Sequence, residues 1–510
     1  MNQINLSRLI LPLLFVPLAI IAIINLLTGG GNQLGNTFFL LILFAGAMGL
    51  LAPRVGLLVF IVLQFYVDFL KRLLVLGDTL SNQDVMISLG MGPVIVVMAC
   101  VNITLQCITG KIPFFNKRDI IYFSGCVGVS LAGLALSKDS PGSGGFAAIA
   151  QSLLGSSMLG MTAYASYAII RDKADQHKVL KYIVLGAVPM AMYTFYQRFV
   201  GISGWEEEYI RTGLSRVLYS FYLIDGIDDM RPFSTLNTHT TVGAVSGVMF
   251  LIAALLMTRA KGFFGVSKNY RWFYLAISLV FIGSCYLSKN RTTYALPIFG
   301  LVLVFLFNGG WRTLLFYASS LAFFVWIVIN SEWINDSILG WSAQLESTAF
   351  GKAFGSLGTY QARLTGFMQL TEPTNWKPFG LNENSTAKAH DMITETLLKV
   401  GYVPLFFALM IGATIVSWWH RKCLKIHQPD ERKFMITLTA IIVSLGVCSL
   451  AYGNLLFVAP VNSLLGIMIG LGMSTIRRDQ VEKKAAASAA TAPRAIANPA
   501  SQSALKEAKT

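Results

Sequence analysis

The sequence predicts an all-α polytopic membrane protein with about 12–14 transmembrane helices. Of the 510 residues, 55% are hydrophobic and only 13% are charged, and the mean hydropathy is +0.61. In a typical soluble domain about a quarter of the residues are charged. This chain has too little polar material to cover its own surface, so lipid must form part of its solvent.

Apolar runs of span length recur through a predicted transmembrane domain at 1–475, and each run is expected to form one helix. Short runs are expected to tilt or to be partly re-entrant. The predicted spans are 9–27, 37–52, 55–70, 86–108, 120–137, 146–170, 180–200, 238–258, 272–288, 293–308, 313–330, 391–418, 434–453 and 456–475.

The net charge of +15 follows the positive-inside pattern. With the amino terminus inside, roughly 26 Lys and Arg residues fall on the inner side and about 14 on the outer side. This bias predicts that both termini are cytoplasmic. Because the basic residues lie in short loops between spans, topology explains them, and no nucleic-acid partner is expected.

Two long loops are predicted on the outer side, at about 202–237 and about 331–390. The second has stretches with helical periodicity and is expected to form a large periplasmic lid. The first is acidic, and its Asp225, Asp228 and Asp229 are expected to be solvated rather than to hold a cation. The chain from 476 to 510 becomes rich in Ala, Ser and Pro and is expected to be a disordered cytoplasmic tail.

The sequence lacks the signatures of several soluble enzymes. It has no GxxxxGK phosphate loop, no GxSxG nucleophile elbow and no HExxH motif. We therefore expect no cofactor, no metal and no site for ATP or a nucleotide-activated donor.

Three arginines and one histidine mark the predicted outer boundary of the membrane. Arg231 precedes the span at 238–258, Arg291 lies in a tight turn, Arg363 lies in the second long loop, and His390 enters the span at 391–418. An arginine at a membrane boundary costs desolvation free energy, so it usually has a partner or an anionic ligand. Guanidinium groups bind diphosphates bidentately.

Each of these four residues also has a structural alternative, in which it contacts a neighbouring group instead of a substrate. The alternative partners are lipid headgroups for Arg291, Glu346 or Glu372 for Arg363, Asp228 or Asp229 for Arg231, and the following helix for His390.

The order of these segments resembles the O-antigen ligase and polymerase superfamily over about 230–415. In that family, an Arg-containing segment leads to a span with an Asn-containing start, here Arg231-Pro-Phe-Ser-Thr-Leu-Asn237. A Ser/Arg turn follows, here Ser288-Lys-Asn-Arg291, although Ser and Arg are usually adjacent there.

The rest of the resemblance lies in the second long loop and the helix after it. The family has a loop arginine followed by a Trp, Pro and Gly patch, here Arg363 and then Trp376-Lys-Pro-Phe-Gly380. A histidine then opens an apolar run with a glycine, here His390 to Gly401.

The resemblance implies a multi-span glycosyltransferase of the bacterial inner membrane with a periplasmic active site. Its donor would be a polyprenyl-diphosphate-linked glycan. Arg291 and Arg363 would bind the diphosphate, and His390 would be the general base. Arg231, Asn237 and Trp376 are further candidates for substrate binding. The expected partners are a glycan or lipid A core acceptor, membrane lipids, and a chain-length regulator and flippase.

We expect a polymerase of exopolysaccharide or O-antigen repeats, because the chain is long for a lipid A core ligase. An O-antigen ligase, which transfers the glycan to lipid A core or to a protein, is the alternative within the family. A polytopic transporter or flippase is the alternative outside it. Its site would lie on broken helices or buried charges near the bilayer midplane. The sequence offers little there, and Asp68 and Arg198 are the main ionisable residues near span interiors or ends.

Overall fold

A computed structural model describes the chain over most of its predicted helices. The described residues are 33–75, 82–111, 146–213, 216–219, 231–259, 270–307, 372–379, 401–451 and 458–491, with separate positions at 319, 322, 326, 368, 370, 393, 394, 397, 398 and 455. Within these ranges the regular structure is entirely helical, which confirms the all-α part of the predicted fold class.

We number the α-helices of the described ranges in chain order. They are α1 (Gln33–Leu51), α2 (Pro53–Leu63), α3 (Val67–Val75), α4 (Asn82–Ile108), α5 (Phe146–Ile169), α6 (Lys173–Phe199), α7 (Gly204–Arg211), α8 (Arg216–Tyr219), α9 (His239–Arg259), α10 (Tyr270–Leu287), α11 (Arg291–Phe307), α12 (Tyr402–Leu424), α13 (Pro429–Ala451) and α14 (Val461–Thr491).

Four of the described helices, α6, α9, α10 and α13, are long and apolar enough to cross a membrane. A fifth crossing is possible if α2 and α3, which are bent by 63° relative to each other, together form one broken span. The chain is therefore compatible with a polytopic membrane protein. The larger number of spans stays a prediction, since 9–27 and 120–137 lie outside the described residues.

Small residues allow the helices to pack closely. In α14, a Cβ on Gly466 would lie 2.5 Å from the Leu159 carbonyl oxygen, and one on Gly470 would lie 2.5 Å from that of Ala163. Close packing of this kind, with small residues four apart, is common between membrane helices. It aligns α5 and α14 in parallel.

The bundle has two polar ends, joined by α6. At one end, which we call the Glu431 end, the buried carboxylate of Glu431 binds Arg478 at 2.8 Å and Lys173 at 3.0 Å. At the other, the Arg72 end, the side chain of Arg72 is buried near Gln197 and Glu206. Lys173 and Gln197 lie at opposite ends of α6, roughly 36 Å apart at the rise of an α-helix, which exceeds the thickness of a bilayer's hydrocarbon core.

The structure differs from the sequence predictions at two helices. The predicted span at 391–418 is interrupted at Gly401, whose φ of +95° is left-handed, and α12 begins only at Tyr402. The predicted disordered tail at 476–510 begins as helix, because α14 continues through Arg478 to Thr491. Arg478, within this extension, pairs with Glu431, and 492–510 lie outside the described residues.

Candidate functional site at the Arg72 end

The segment from Arg231 to Asn237 lies at the Arg72 end and leads directly into α9. Its middle residues, from Pro232 to Leu236, are buried, whereas Arg231 and Asn237 are half-buried. Thr238 then caps α9, since its hydroxyl oxygen accepts a hydrogen bond of 3.1 Å from the Thr241 amide. Arg231 and Asn237 therefore lie on either side of a buried stretch, Pro232–Leu236, which we call the anchor.

A buried ion pair lies beside this anchor. Arg72 is 2% exposed and Glu206 0% exposed, and Nη1 of Arg72 lies 2.9 Å from Oε1 of Glu206. The guanidinium also donates from Nη2 to the carbonyl oxygen of Ser234 and lies 4.7 Å from the centroid of the Phe233 ring. Arg72 therefore neutralises Glu206 and contacts two consecutive residues of the anchor.

Gln197 completes a closed ring of hydrogen bonds. Its amide nitrogen donates to Oε1 of Glu206 at 2.9 Å, and its amide oxygen accepts from the Ser234 backbone N–H at 2.7 Å. Ser234 has a φ of +52°, a left-handed conformation that is unfavourable for a residue other than glycine. Both backbone polar groups of this buried residue are satisfied by the ring.

The anchor also contacts the break between α2 and α3. The hydroxyl of Thr235 donates to the carbonyl oxygen of Phe65 at 2.6 Å. Phe65 lies in the turn between the two helices, where the bend leaves backbone carbonyls without helical partners. This hydrogen bond thus joins the break between α2 and α3 to the anchor.

The turn from Ser288 to Arg291 packs against the start of α9. Lys289 is left-handed, with a φ of +54°, and Asn290 caps α11 by accepting a bond of 3.3 Å from the Thr293 amide. The two residues that separate Ser288 from Arg291 therefore build the turn. Arg291 is the first residue of α11, and its side chain lies outside the described groups.

Two contacts fix the starts of α9 and α11 side by side. Nδ2 of Asn290 donates to Oγ1 of Thr240 at 2.6 Å. A Cβ on Gly243 would lie only 2.1 Å from Oγ1 of Thr293, so only glycine permits this approach. The two helices run in parallel from this point, and their amino termini face the same end of the bundle.

His239, the first residue of α9, adds a second ionisable group here. It is buried, and Arg231 lies close enough for its charge to act on the imidazole. The described part of this end thus combines Arg231, Asn237 and His239 with the turn that carries Arg291.

A second pair of predicted segments meets elsewhere. The amides of Tyr402 and Val403, which open α12, donate to the carbonyl oxygens of Lys377 and Pro378 at 2.9 and 3.3 Å. A Cβ on Gly401 would lie 2.7 Å from the Pro378 oxygen. Lys377 and Pro378 of the Trp376–Gly380 patch are therefore in direct contact with Gly401 and the start of α12.

Trp376 is held in this second group by its indole N–H, which donates to the Leu370 carbonyl at 2.8 Å. Its ring centroid lies 6.3 Å from that of Tyr402, and 48% of the residue is exposed. The indole of Trp376 is therefore partly exposed, and its role in substrate binding stays a prediction.

The predicted site residues are thus described to different extents. The structure brings the Arg231–Asn237 segment together with the Ser288–Arg291 turn, and the Trp376 patch together with Gly401. Arg363, His390 and the acidic group Asp225, Asp228 and Asp229 lie outside the described residues. Among the residues that are described, no three His, Cys, Asp or Glu side chains are grouped so that they could hold a metal.

Sequence reasoning missed Arg72 and Glu206, although signals for both are present. Arg72 interrupts an apolar run, and such a residue usually has a buried partner. Ser203 and Glu206 have the spacing of a capping box, and Oε2 of Glu206 accepts from the Ser203 hydroxyl at 3.0 Å. Glu206 is followed directly by Glu207 and Glu208, so the sequence does not distinguish it from the solvated acidic residues beside it.

Comparison of the chain with protein-family models, with curated proteins and with solved structures gives no match.

Proposed function

We propose that the chain is a multi-span membrane glycosyltransferase that polymerises polyprenyl-diphosphate-linked oligosaccharide repeats into exopolysaccharide or O-antigen. The observation that best supports this proposal is the adjacency of the Arg231–Asn237 segment and the Ser288–Arg291 turn, joined by the bond between Asn290 and Thr240. Both segments carry the resemblance to the O-antigen ligase and polymerase superfamily. They are separated in sequence by α9 and α10, and the antiparallel packing of these two helices returns the chain to the same end of the bundle.

The electrostatics of this end suit a diphosphate. The amino termini of α9 and α11 lie together, and each carries a partial positive charge from its helix dipole. Arg231 stands before the first helix, and Arg291 is the first residue of the second. Charge of this sign stabilises a bound anion and the charge that develops on a leaving phosphate oxygen.

In the proposed reaction, a hydroxyl oxygen of the acceptor glycan attacks the anomeric carbon of the donor sugar. The new glycosidic bond forms as the bond from that carbon to the diphosphate oxygen breaks, and polyprenyl diphosphate leaves. His390 takes the hydroxyl proton, because the unperturbed pKa of histidine, near ~6.5, suits a general base. Arg291 and Arg363, with Arg231, bind the diphosphate. The donor is already activated, so neither ATP nor a metal is required.

The proposed location is the bacterial inner membrane, with the Arg72 end facing the periplasm and both termini in the cytoplasm. With the amino terminus inside, the loops at 171–179 and 419–433 between predicted spans fall on the inner side, and they meet at the opposite end, where Lys173 and Gln428 are hydrogen-bonded. This arrangement agrees with the proposed orientation. A chain-length regulator and a flippase would be the natural partners in the same membrane.

Substitution tests the proposal directly. Arg291→Ala and His390→Ala should abolish glycan assembly in cells while the protein still accumulates in the membrane. Arg211→Ala is the matched control, because Arg211 lies near the same end but is exposed and pairs with Glu207. Complete glycan assembly by both test variants would end the proposal.

A deletion strain separates the polymerase from the O-antigen ligase. Loss of the polymerase removes long-chain polymer and leaves single repeats on the lipid carrier. Loss of a ligase leaves polymer that is made but stays on its carrier, because transfer to lipid A core or protein fails.

One observation favours a transporter or flippase as a second candidate. The break between α2 and α3 lies beside the buried pair of Arg72 and Glu206, and broken helices with buried charges are typical of transporters. Proteoliposomes that contain the purified protein and a lipid-linked repeat discriminate the two. A polymerase lengthens the glycan, whereas a flippase moves the lipid between leaflets without changing it.

A further inference from the structure

The anchor Pro232–Leu236 is not helical, yet all of its residues are buried. A segment of this kind needs specific partners for its backbone polar groups. Ser234 obtains them from two side chains, since Gln197 accepts from its N–H and Arg72 donates to its carbonyl oxygen. Its conformation therefore depends on groups that are distant in sequence.

Glu206 determines how those two side chains are oriented. Its Oε1 accepts from Nη1 of Arg72 and from Nε2 of Gln197, each at 2.9 Å. Because the Gln197 nitrogen is directed at Glu206, its oxygen is left to face the Ser234 amide. One buried carboxylate thus orients both side chains that bond the Ser234 backbone.

Fold stability alone gives a weak reason for this arrangement. Burying two charges costs several kcal/mol of desolvation, and apolar side chains of similar volume often stabilise a core as well or better. What the ion pair adds is a defined geometry for the backbone at Ser234. That backbone lies between Arg231 and the start of α9.

We propose that Arg72 and Glu206 are positioning residues, which hold the Arg231–Asn237 segment so that Arg231 can bind the diphosphate of the lipid-linked donor at the start of α9. This inference rests on the proposed function and deepens it. Neither residue contacts the donor. They act through Ser234, whose backbone they fix.

The test uses purified full-length protein in detergent, with undecaprenyl diphosphate that carries no glycan as the probe. Glu206→Gln removes the charge at constant shape. It should weaken binding by about tenfold or more. Hydrogen exchange of the amides in 231–238 should become faster in the same variant, because the ring around Ser234 opens.

Glu431→Gln is the matched control, because it neutralises a buried carboxylate at the opposite end of the bundle. Both variants should lose thermal stability, but only Glu206→Gln should change the affinity and the exchange of 231–238. Arg72→Lys, which keeps the charge but loses the fork that bonds Glu206 and the Ser234 carbonyl together, gives the same test if Glu206→Gln does not accumulate. An affinity that changes equally in the Glu206 and Glu431 variants overturns the inference, as does unchanged exchange in 231–238.

Arg231→Ala separates failure of this inference from failure of the proposed function. If the wild type binds the probe and Arg231→Ala weakens binding while Glu206→Gln does not, only the positioning role is wrong. If the wild-type protein does not bind the probe, the proposed function fails and the inference fails with it.

Discussion

Asn290 links the starts of two parallel helices through a single amide group. Its nitrogen donates to Oγ1 of Thr240 in α9 at 2.6 Å, and its oxygen accepts from the Thr293 amide of α11 at 3.3 Å. Together with the close approach of Gly243 to Thr293, this side chain sets the relative position of Arg231, before α9, and Arg291, at the start of α11.

Asn290→Ala should lower the free energy of unfolding by about 1–2 kcal/mol, because it removes a helix cap and a buried hydrogen bond. Unfolding of the purified protein in detergent measures this change. Thr109→Ala is the control, since the exposed hydroxyl of Thr109 bonds only within its own helix. Equal stability of the two variants would show that the link between α9 and α11 contributes nothing.

Gly243→Ala should destabilise the protein by about 1–3 kcal/mol through overpacking. The added Cβ would lie 2.1 Å from Oγ1 of Thr293 and 2.6 Å from Oγ of Ser288, so α11 has to move away. Gly446→Ala is the matched control within α13, where a Cβ meets no atom of the described residues within 4 Å. Its expected effect is a gain of up to about 1 kcal/mol from helix propensity. The same loss at both glycines would contradict the packing argument.

Gly401→Ala should release the Trp376–Phe379 segment from α12. The new Cβ would lie 2.7 Å from the Pro378 oxygen, in addition to the strain of a φ of +95°. Hydrogen exchange of peptides from 372–379 should become faster. Gly201→Ala has comparable strain, with a φ of +105°, but among the residues that the structure describes a Cβ there meets nothing within 4 Å. This control should leave the exchange rate of 372–379 unchanged. If the exchange rate also stays at the wild-type value in Gly401→Ala, the contact is refuted.

Arg478→Ala should cost about 3 kcal/mol or more, because it leaves the buried Glu431 carboxylate with Lys173 as its remaining cation. Adding Glu431→Gln to this variant should recover part of the loss, since the buried charge is then removed. Arg211→Ala removes an arginine from an exposed pair, with side chains 65% and 55% exposed, and should cost at most about 0.5 kcal/mol. Chemical denaturation of the wild type, the two single variants and the double variant measures these differences in the free energy of unfolding.

Hydropathy predicts the positions of several helices well. The runs at 146–170, 238–258 and 272–288 correspond to α5, α9 and α10 within one or two residues. Long apolar runs leave the backbone few alternatives to a helix, so their type is predictable from composition. The number of spans depends in addition on regions such as 120–137, which the described residues do not include.

The interruptions of helices were harder to predict than the helices. Gly401 ends one helical run because carbonyl oxygens of a distant loop approach it, and this contact has no local signal. The bend of 63° between α2 and α3 contains no proline or glycine at Gln64–Tyr66. It is supported instead by Thr235, which is far away in the chain.

The sequence indicated the segments of the candidate site, but not the side chains that hold these segments in place. Arg231, Asn237 and the turn at Ser288–Arg291 were chosen from the sequence, and the structure places them together. The residues that fix one of these segments come from two separate regions of the chain, Arg72 from one and Gln197 and Glu206 from the other. Their pairing is a tertiary contact that periodicity and composition do not encode.

The continuity of α14 has a practical consequence for protein engineering. A fluorescent protein or affinity tag fused between 477 and 491 would interrupt the helix close to Arg478 and deprive Glu431 of a counter-ion. A fusion joined after Thr491 avoids this damage. Because the helix is uninterrupted from Val461, a rigid helical linker added at that point would carry a fiducial domain in fixed orientation for single-particle imaging.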